Sequence, residues 1–299
     1  MAIAECRTTV DSRGRELLQH GTTAFPIACY HDDFSKMDVP WHWHEELEAV
    51  VISAGSCTIA AGNKKQILRT GEGFFINSGV LHAAWDDAAT GCRFHSMVFH
   101  PRLVGASMDS IFHQRFIQPL LDHSDLDLIP LSPDIPWQKA ALEAIEAAWQ
   151  NCTSEQPGFE FRTRDALSEL IWQLHCNLPS VRRSCPGKSL RDAERIKIML
   201  SFIHENLTSE LTTSRIAASA AISESEALRC FRATIGTSPI RYVKQYRIQQ
   251  AAQQLIASDD KIGEIAVRCG FQDMSYFTKS FREESGCTPT EYRSKNANL

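Results

Sequence analysis

With 299 residues, 43% of them apolar, the chain can bury two hydrophobic cores, and its ten cysteines, which lack Cys-x-x-Cys spacing, are predicted to be reduced packing residues. No stretch approaches the roughly twenty apolar residues of a membrane span, and no early apolar run resembles a secretory signal, so we expect a cytoplasmic protein without a membrane partner. The net charge of −5 comes from residues 1–188, with 16 basic against 23 acidic residues, whereas residues 189–299, with 15 against 13, are near neutral, which excludes strong non-specific binding to nucleic acid.

Two segments of the first third contain histidines. Residues 39–44 read Val-Pro-Trp-His-Trp-His and are followed by Glu48. Because side chains alternate along a strand, His42 and His44 are predicted to point to one face, where two imidazoles can share a ligand or a metal ion. Residues 71–82 contain three glycines and a turn and end on a third histidine.

Short β-branched or aromatic runs, separated by Gly and Asn turns, predict strands around these segments. They lie at residues 47–53, 57–60, 65–69, 73–77 and 92–99. Together with the histidine segments they resemble the two motifs of the cupin superfamily, a small double-stranded β-barrel, which we assign to residues 1–125. The second motif departs from the pattern, since Asn77 replaces the usual proline and Asp86 stands where an asparagine is common.

The cupin resemblance implies a ligand site on the barrel. Its expected effector-binding residues are Trp41, His42, His44, Glu48 and His82. Three imidazoles and a carboxylate suit iron, manganese, nickel, copper or zinc with open positions for a ligand, so a divalent metal is one hypothesis for a cofactor. The alternatives are a polar pocket that binds a sugar or an organic acid directly, and histidines that are hydrogen-bonded residues of the core.

After the barrel the pattern becomes helical. Residues 137–150 and 159–177 predict two amphipathic helices. Their apolar stripes are Leu142, Ile145, Ala148 and Trp149 in the first, and Leu167, Leu170, Ile171 and Leu174 in the second. We assign residues 126–180 to this helical region and residues 181–190 to an interdomain linker.

The remaining residues, 191–299, contain one pattern twice. A helix, a turn and a second helix are predicted at about 212–236 and again at 262–286, and residues 243–255 predict a connecting helix. The repeated order is Ile216-Ala217, Phe231-Arg232, Gly236, Ser238-Pro239 and Tyr242, then Ile265-Ala266, Phe281-Arg282, Gly286, Thr288-Pro289 and Tyr292. This layout allows one helix of each pair to lie in a DNA groove.

The second copy has clear helix boundaries. Gly270 can take the left-handed conformation that ends the first helix, and Asp273 is expected to cap the second. Phe277 and Phe281 recur at i and i+4, and they anchor that helix on the core. The opposite face holds the predicted DNA contacts, which are Met274, Ser275, Thr278, Lys279 and Arg282.

The first copy departs from this pattern at two positions. Ala221 occupies the turn position of Gly270, and a non-glycine residue with positive φ costs on the order of 1 kcal/mol. Ala227 replaces a large apolar residue of the second helix. The predicted DNA contacts are Ser225, Leu228, Arg229 and Arg232, among which Arg229 suits a guanine edge or a phosphate.

The second copy resembles the signature of the AraC/XylS family of bacterial transcription regulators. The matching residues are Ile265-Ala266, Gly270-Phe271, Ser275-Tyr276-Phe277, Lys279, Phe281-Arg282, Gly286, Thr288-Pro289 and Tyr292-Arg293. The resemblance implies a DNA-binding domain with two helix-turn-helix motifs that address successive major-groove segments. It also implies a barrel that acts as the sensor, and helices after the barrel that form a dimer contact or pack on the barrel itself.

We therefore expect an α+β protein in which a cupin barrel with following helices precedes an all-α DNA-binding domain. Its expected function is sequence-specific transcription regulation, more commonly activation, controlled by a small molecule bound in the barrel. The expected partners are double-stranded promoter DNA, a sugar or organic-acid effector, RNA polymerase and a second copy of the chain. The alternative is a metal-dependent cupin enzyme, such as a dioxygenase or a sugar isomerase, fused to a DNA-binding domain.

Overall fold

A computed structural model of the chain describes residues 10, 14–34, 38–62, 64–86, 90–123, 126–178 and 188–296. The chain forms two compact units, Met1–Ala193 and Glu194–Leu299. The first is rich in β-sheet and the second is helical, which confirms the predicted fold class. No helix of the described residues is both long enough and apolar enough to cross a membrane.

Two antiparallel sheets build the amino-terminal unit within the described residues. One sheet has the order β1-β8-β3-β6-β9 and the other the order β2-β7-β4-β5. The strands are β1 (Ile27–Asp33), β2 (Val39–His42), β3 (Leu47–Ala54), β4 (Ser56–Ala61), β5 (Lys64–Arg69), β6 (Gly73–Ile76), β7 (His82–Trp85), β8 (Arg93–Phe99) and β9 (Leu128–Leu131).

The first sheet is buried on both faces. Val50 and Ile52 of β3 face the other sheet, where they share a core with Ile59 of β4. Leu47 and Ala49, on the alternate face of β3, pack against the helices that follow the barrel. Because both faces are covered, β3 reads as a continuous apolar run, and Glu48 is placed on its inward face.

The predicted helices after the barrel are present, and their apolar stripes are buried except for Trp149, which is half-buried. Trp149 donates its indole N–H to the Tyr30 carbonyl at 3.0 Å and thereby ties its helix to β1. The helices of this region are α1 (Arg102–Gly105), α2 (Gln118–Leu121), α3 (Pro136–Ser154) and α4 (Phe159–Asn177), with a π-helical segment at His113–Ile117. The stripe of α3 therefore packs on the barrel, and the stripe of α4 is buried in the same core.

Two expected boundaries change. The barrel does not end at residue 125, because β9 pairs with β6 and completes the five-stranded sheet. The short helices α1 and α2 precede this strand, and the two long helices α3 and α4 follow it. Of the linker expected at residues 181–190, residues 181–187 lie outside the described residues, and α5 already begins at Lys188.

The carboxy-terminal unit is made of helices only, in its described part. They are α5 (Lys188–Glu205), α6 (Thr213–Ser219), α7 (Glu224–Thr234), α8 (Pro239–Ala257), α9 (Ile262–Arg268), α10 (Met274–Ser285) and α11 (Pro289–Asn296). The pairs α6–α7 and α9–α10 are the two predicted helix-turn-helix motifs, and α8 connects them. Phe277 and Phe281 are fully buried, with Ile265 of α9 and Leu255 of α8 in the same core.

The turns confirm the local predictions. Gly270 has φ +84° and Ala221, at the matching position of the first motif, has φ +53°. Asp273 caps α10, because its carboxylate accepts a hydrogen bond of 2.6 Å from the Tyr276 backbone N–H.

Candidate functional site

Three imidazoles converge inside the barrel. His42 ends β2, His82 begins β7, and the two residues are directly opposite in the antiparallel pairing. His44 lies just past β2, so the predicted strand does not reach it, yet its ring faces the same cluster. One ring nitrogen from each residue lies within 4.8 Å of the other two, and all three side chains are buried.

Each of these rings is oriented by a backbone carbonyl close in sequence. The acceptors of the three Nδ1 atoms are Pro40 O for His42 at 2.8 Å, Glu46 O for His44 at 3.1 Å and Val80 O for His82 at 2.8 Å. Because a carbonyl oxygen only accepts, each Nδ1 carries the hydrogen, and Nε2 is left as the coordinating atom. Metal-binding histidines are commonly fixed in this way.

Glu48 adds a carboxylate to the cluster. Its Oε2 lies 2.9 Å from His82 Nε2 and 3.7 Å from His44 Nε2. Despite this proximity, none of these three buried atoms makes a hydrogen bond of regular geometry with a described residue. Burial alone would raise the pKa of Glu48, but interactions with His44 and His82 hold that pKa well below its usual range. Burial opposes the charge on His82, but Glu48 raises the pKa of that imidazole.

Two residues ahead of β1 enter the same site, and the sequence did not reveal them. Glu16 and His20 are only 8% and 5% exposed. Glu16 Oε2 lies 3.2 Å from His20 Nε2 and 3.8 Å from His42 Nε2. His20 Nδ1 lies 2.8 Å from the Tyr30 hydroxyl. Burial and the neighbouring His82 lower the pKa of His42 to about 3, and His20 and His42 lower the pKa of Glu16 despite its burial.

The segment that carries Glu16 is held to the histidine strand by its backbone. The Glu16 N–H donates to Trp43 O at 2.9 Å, and the Trp43 N–H donates to Gly14 O at 3.0 Å. Arg15 forms an ion pair of 3.1 Å with Glu45. The only local signal in the sequence is the four-residue spacing of Glu16 and His20, which many exposed segments share.

The structure also shows the environment of Trp41 and of the two residues that depart from the cupin pattern, Asn77 and Asp86. Trp41 is half-buried and immediately precedes His42 in β2, whose pairing with β7 is irregular between Val39 and His42. Asn77 donates to Leu120 O at 2.7 Å and accepts from the Ser78 N–H. Asp86 accepts hydrogen bonds from the Thr90 hydroxyl and the Cys92 N–H. Both departures therefore tie loops together.

The second helix-turn-helix motif presents its predicted contact residues to one groove. The five predicted contacts on α10 line a groove of about 770 Å³. The lining residues are Met274, Ser275, Thr278, Lys279, Arg282, Glu283 and Thr288. All five predicted residues are exposed or half-buried, whereas Phe277 and Phe281 on the opposite side are buried. The structure therefore brings the predicted set together.

The position of α10 is fixed by contacts from the connecting helix. Lys244 of α8 lies 3.2 Å from a carboxylate oxygen of each of Glu283 and Glu284. Although burial opposes it, hydrogen bonds to these two carboxylates raise the pKa of Lys244. Arg247, also in α8, donates to Leu207 O and Ser209 O, and it holds the chain ahead of α6.

The first motif presents a more acidic surface at the beginning of its second helix. Ser225 and Arg232 are exposed, whereas Leu228 and Arg229 are half-buried. The first turn of α7 contains Glu224 and Glu226, whereas the first turn of α10 contains no acidic residue.

Known families match both units. A model described as the AraC-like ligand binding domain matches residues 25–171, and a model described as a helix-turn-helix domain matches residues 216–295. The first match includes the strands that carry the imidazole cluster, and the second covers both helix-turn-helix motifs from Ile216 onward.

Whole-length relatives are transcription regulators. The chain is 27% identical over 291 residues to the uncharacterized HTH-type transcriptional regulator YdeC of Bacillus subtilis, which covers 96% of this chain and 98% of YdeC. It is 25% identical over 259 residues to the HTH-type transcriptional activator RhaR of Mannheimia succiniciproducens, which covers 86% and 87%. Among solved structures, ToxT of Vibrio cholerae aligns over 94% of this chain and 99% of that one, with 12% identity and a TM-score of 0.43.

The two matched domains occur in the order that the sequence signature implies, and the relatives share that order over nearly their whole length. The chain therefore belongs to the AraC family of transcriptional regulators, with an amino-terminal ligand-binding domain and a carboxy-terminal helix-turn-helix DNA-binding domain.

Proposed function

We propose that this regulator binds a divalent metal ion in its barrel and reads promoter DNA chiefly through α10. The observation that supports the metal site is the convergence of three buried Nε2 atoms beside a carboxylate. The observation that supports the DNA contacts is the groove lined by the exposed face of α10.

The side chains of α10 suit base recognition. The amino-terminal residues of a recognition helix contact base edges in the major groove. Ser275 and Thr278 offer hydroxyl groups there, and Lys279 and Arg282 offer cationic donors that match guanine or phosphate oxygens. Glu283 is paired with Lys244, so its charge is partly offset near the DNA.

The first motif has a secondary role in this proposal. Glu224 and Glu226 oppose the approach of phosphates to the beginning of α7, although Glu226 is paired with Arg195 at 2.9 Å. Ser225, Leu228, Arg229 and Arg232 remain its proposed contacts. We therefore expect the first motif to recognise fewer base pairs of the operator than the second motif does.

Replacement of Lys279 by Ala tests the DNA contacts. We expect Lys279→Ala to weaken operator binding by about 5- to 150-fold at fixed salt, because a good base contact contributes about 1–3 kcal/mol. The operator is first obtained by selection from random DNA with the full-length protein, and affinity is measured by fluorescence anisotropy. Lys139→Ala on α3, which removes an exposed lysine of the other unit, should leave the affinity unchanged. Equal affinity of Lys279→Ala and the parent protein would remove Lys279 from the contact set.

The donor set fits a transition-metal ion. Imidazole and carboxylate ligands suit manganese, iron, cobalt, nickel, copper and zinc. His42, His44 and His82 would bind through Nε2 and Glu48 through a carboxylate oxygen. The bound ion would supply a Lewis-acidic centre for an oxygen atom of an organic acid or a sugar effector. Metal affinity should fall at low pH, because imidazole and carboxylate ligands bind an ion only in their deprotonated forms.

Metal content tests this site directly. The full-length protein is stripped of metal by chelation and then dialysed, first against Co²⁺, Ni²⁺ or Zn²⁺ and then against metal-free buffer. We expect it to retain one ion per chain, as measured by elemental mass spectrometry. His82→Ala should lower the affinity by about 100-fold, since outer-shell changes alone cost 10- to 100-fold. His31→Ala, which removes an exposed imidazole of β1, is the matched control. Full retention of the ion by His82→Ala, with native circular dichroism, would contradict the assignment.

The remaining roles extend from the family. We propose that the barrel binds its ligand without transforming it, that the protein acts in the cytoplasm as a homodimer, and that it activates transcription through RNA polymerase. The relative RhaR is named as an activator. The outer side of α4 offers a surface for a second copy, because Phe161 and Trp172 are exposed there.

A further inference from the structure

The segment ahead of β1 places a second carboxylate in the imidazole cluster. Glu48 approaches the cluster at His82 and His44, whereas Glu16 approaches it at His42. The two carboxylates come from separate parts of the chain, and they approach different imidazoles. The cluster therefore has more acidic donors than the histidine motifs supply.

We infer that Glu16 is a further protein ligand of the cation bound by His42, His44, His82 and Glu48, and that His20 positions it. This inference rests on the proposed metal site. Glu16 Oε2 lies 3.8 Å from His42 Nε2, so a small displacement of the carboxylate brings it to an ion shared with that imidazole. Glu16 is only 8% exposed, so its carboxylate is largely excluded from solvent beside the cluster.

A chain of hydrogen bonds holds Glu16 in place. Its Oε2 lies 3.2 Å from His20 Nε2, and His20 Nδ1 lies 2.8 Å from the Tyr30 hydroxyl. Tyr30 belongs to β1, so these hydrogen bonds connect the Glu16 carboxylate to a strand of the barrel. His20 and Tyr30 thus orient the Glu16 carboxylate, as residues around other metal sites orient their ligands.

Charge balance gives Glu16 a function. A divalent ion with three neutral imidazoles and Glu48 alone would leave one net positive charge in a buried site, which is costly. With Glu16 the loaded site is neutral. Two carboxylates also raise the number of donors to five, which suits the higher coordination numbers of Mn²⁺ and Co²⁺ better than the four ligands that Zn²⁺ prefers.

The experiment compares Mn²⁺, Co²⁺ and Zn²⁺ binding to the full-length protein and to Glu16→Gln. We expect Glu16→Gln to lower Mn²⁺ affinity by at least about tenfold and Zn²⁺ affinity by less. The visible absorption of bound Co²⁺ should become more intense, because the coordination number falls. Glu143→Gln, which neutralises an exposed carboxylate of α3, is the matched control and should change neither quantity.

A purely structural role for Glu16 predicts a different result. The backbone hydrogen bond between the Glu16 N–H and Trp43 O does not depend on the side chain. An unchanged Co²⁺ spectrum and unchanged Mn²⁺ affinity in Glu16→Gln, with binding still lost in His82→Ala, would overturn this inference and leave the metal site intact. Absence of Co²⁺ binding by the parent protein would overturn both.

A second variant covers the case in which Glu16→Gln does not fold. Glu16→Asp keeps the charge and shortens the side chain by one methylene. We expect it to retain Co²⁺ with a shifted spectrum and an intermediate loss of Mn²⁺ affinity. A spectrum identical to that of the parent protein would contradict the assignment of Glu16 as a ligand.

Discussion

Replacement of Gly270 by Ala should destabilise the carboxy-terminal unit by about 3 kcal/mol or more. Gly270 has φ +84°, a conformation that costs an Ala side chain about 1 kcal/mol. A Cβ atom there would also overlap the Leu207 carbonyl oxygen and lie 2.8 Å from Arg247 Nε. Since Arg247 donates to that same carbonyl, the substitution strains the backbone and disturbs a charged hydrogen bond at once.

Gly286→Ala separates the two contributions. Gly286 has φ +72°, but a Cβ atom there would meet nothing within 4 Å. It should therefore cost only about 1 kcal/mol, from the backbone conformation alone. The six tryptophans all lie between residues 41 and 172, so their fluorescence reports the other unit. Denaturant-dependent amide exchange of residues 194–299 gives the relevant free energy of unfolding, and equal losses for both variants would show that the Leu207 contact is unimportant.

Phe281→Ala should cost the same unit about 3–5 kcal/mol, because a buried aromatic ring is replaced by a cavity. Phe281 is fully buried, and its ring lies 5.7 Å from that of Phe277 and 5.4 Å from that of Tyr292. The loss should also abolish operator binding at 37 °C if the unit unfolds, even though Phe281 is on the side of α10 that faces the core.

Tyr276→Ala is the control for this ring. Tyr276 belongs to the same helix but is 55% exposed, so its removal should change stability by about 0.5 kcal/mol or less. Both variants are compared by the same exchange measurement. A loss below about 1 kcal/mol for Phe281→Ala would mean that the core around α10 closes over the cavity without cost.

The DNA-binding unit was predictable because its determinants are local in sequence. Asp273 caps the helix that it precedes, Gly270 ends the helix that it follows, and Phe277 and Phe281 are one turn apart. Even the departure at Ala221 was informative, since this residue retains the positive φ of the turn. Each of these features needs fewer than ten residues of context.

The barrel site was only half predictable. His42, His44, Glu48 and His82 follow a spaced motif, but Glu16 and His20 enter the site through pairing of their segment with Trp43, which is a tertiary contact. The strand β9 was missed for a related reason. Its four residues include Pro130, which lowers strand propensity and is tolerated because β9 lies at the edge of its sheet.

The carbonyl groups that orient the three imidazoles lie two residues away from them in the chain. The tautomer of each ring is therefore set by the backbone of its own short segment and does not depend on distant side chains. Substitutions in the strands that wall the barrel can alter the shape and polarity of the pocket while the nitrogen atoms keep their direction. A lineage could in this way change the ligand that this domain binds while it retains the same arrangement of imidazoles.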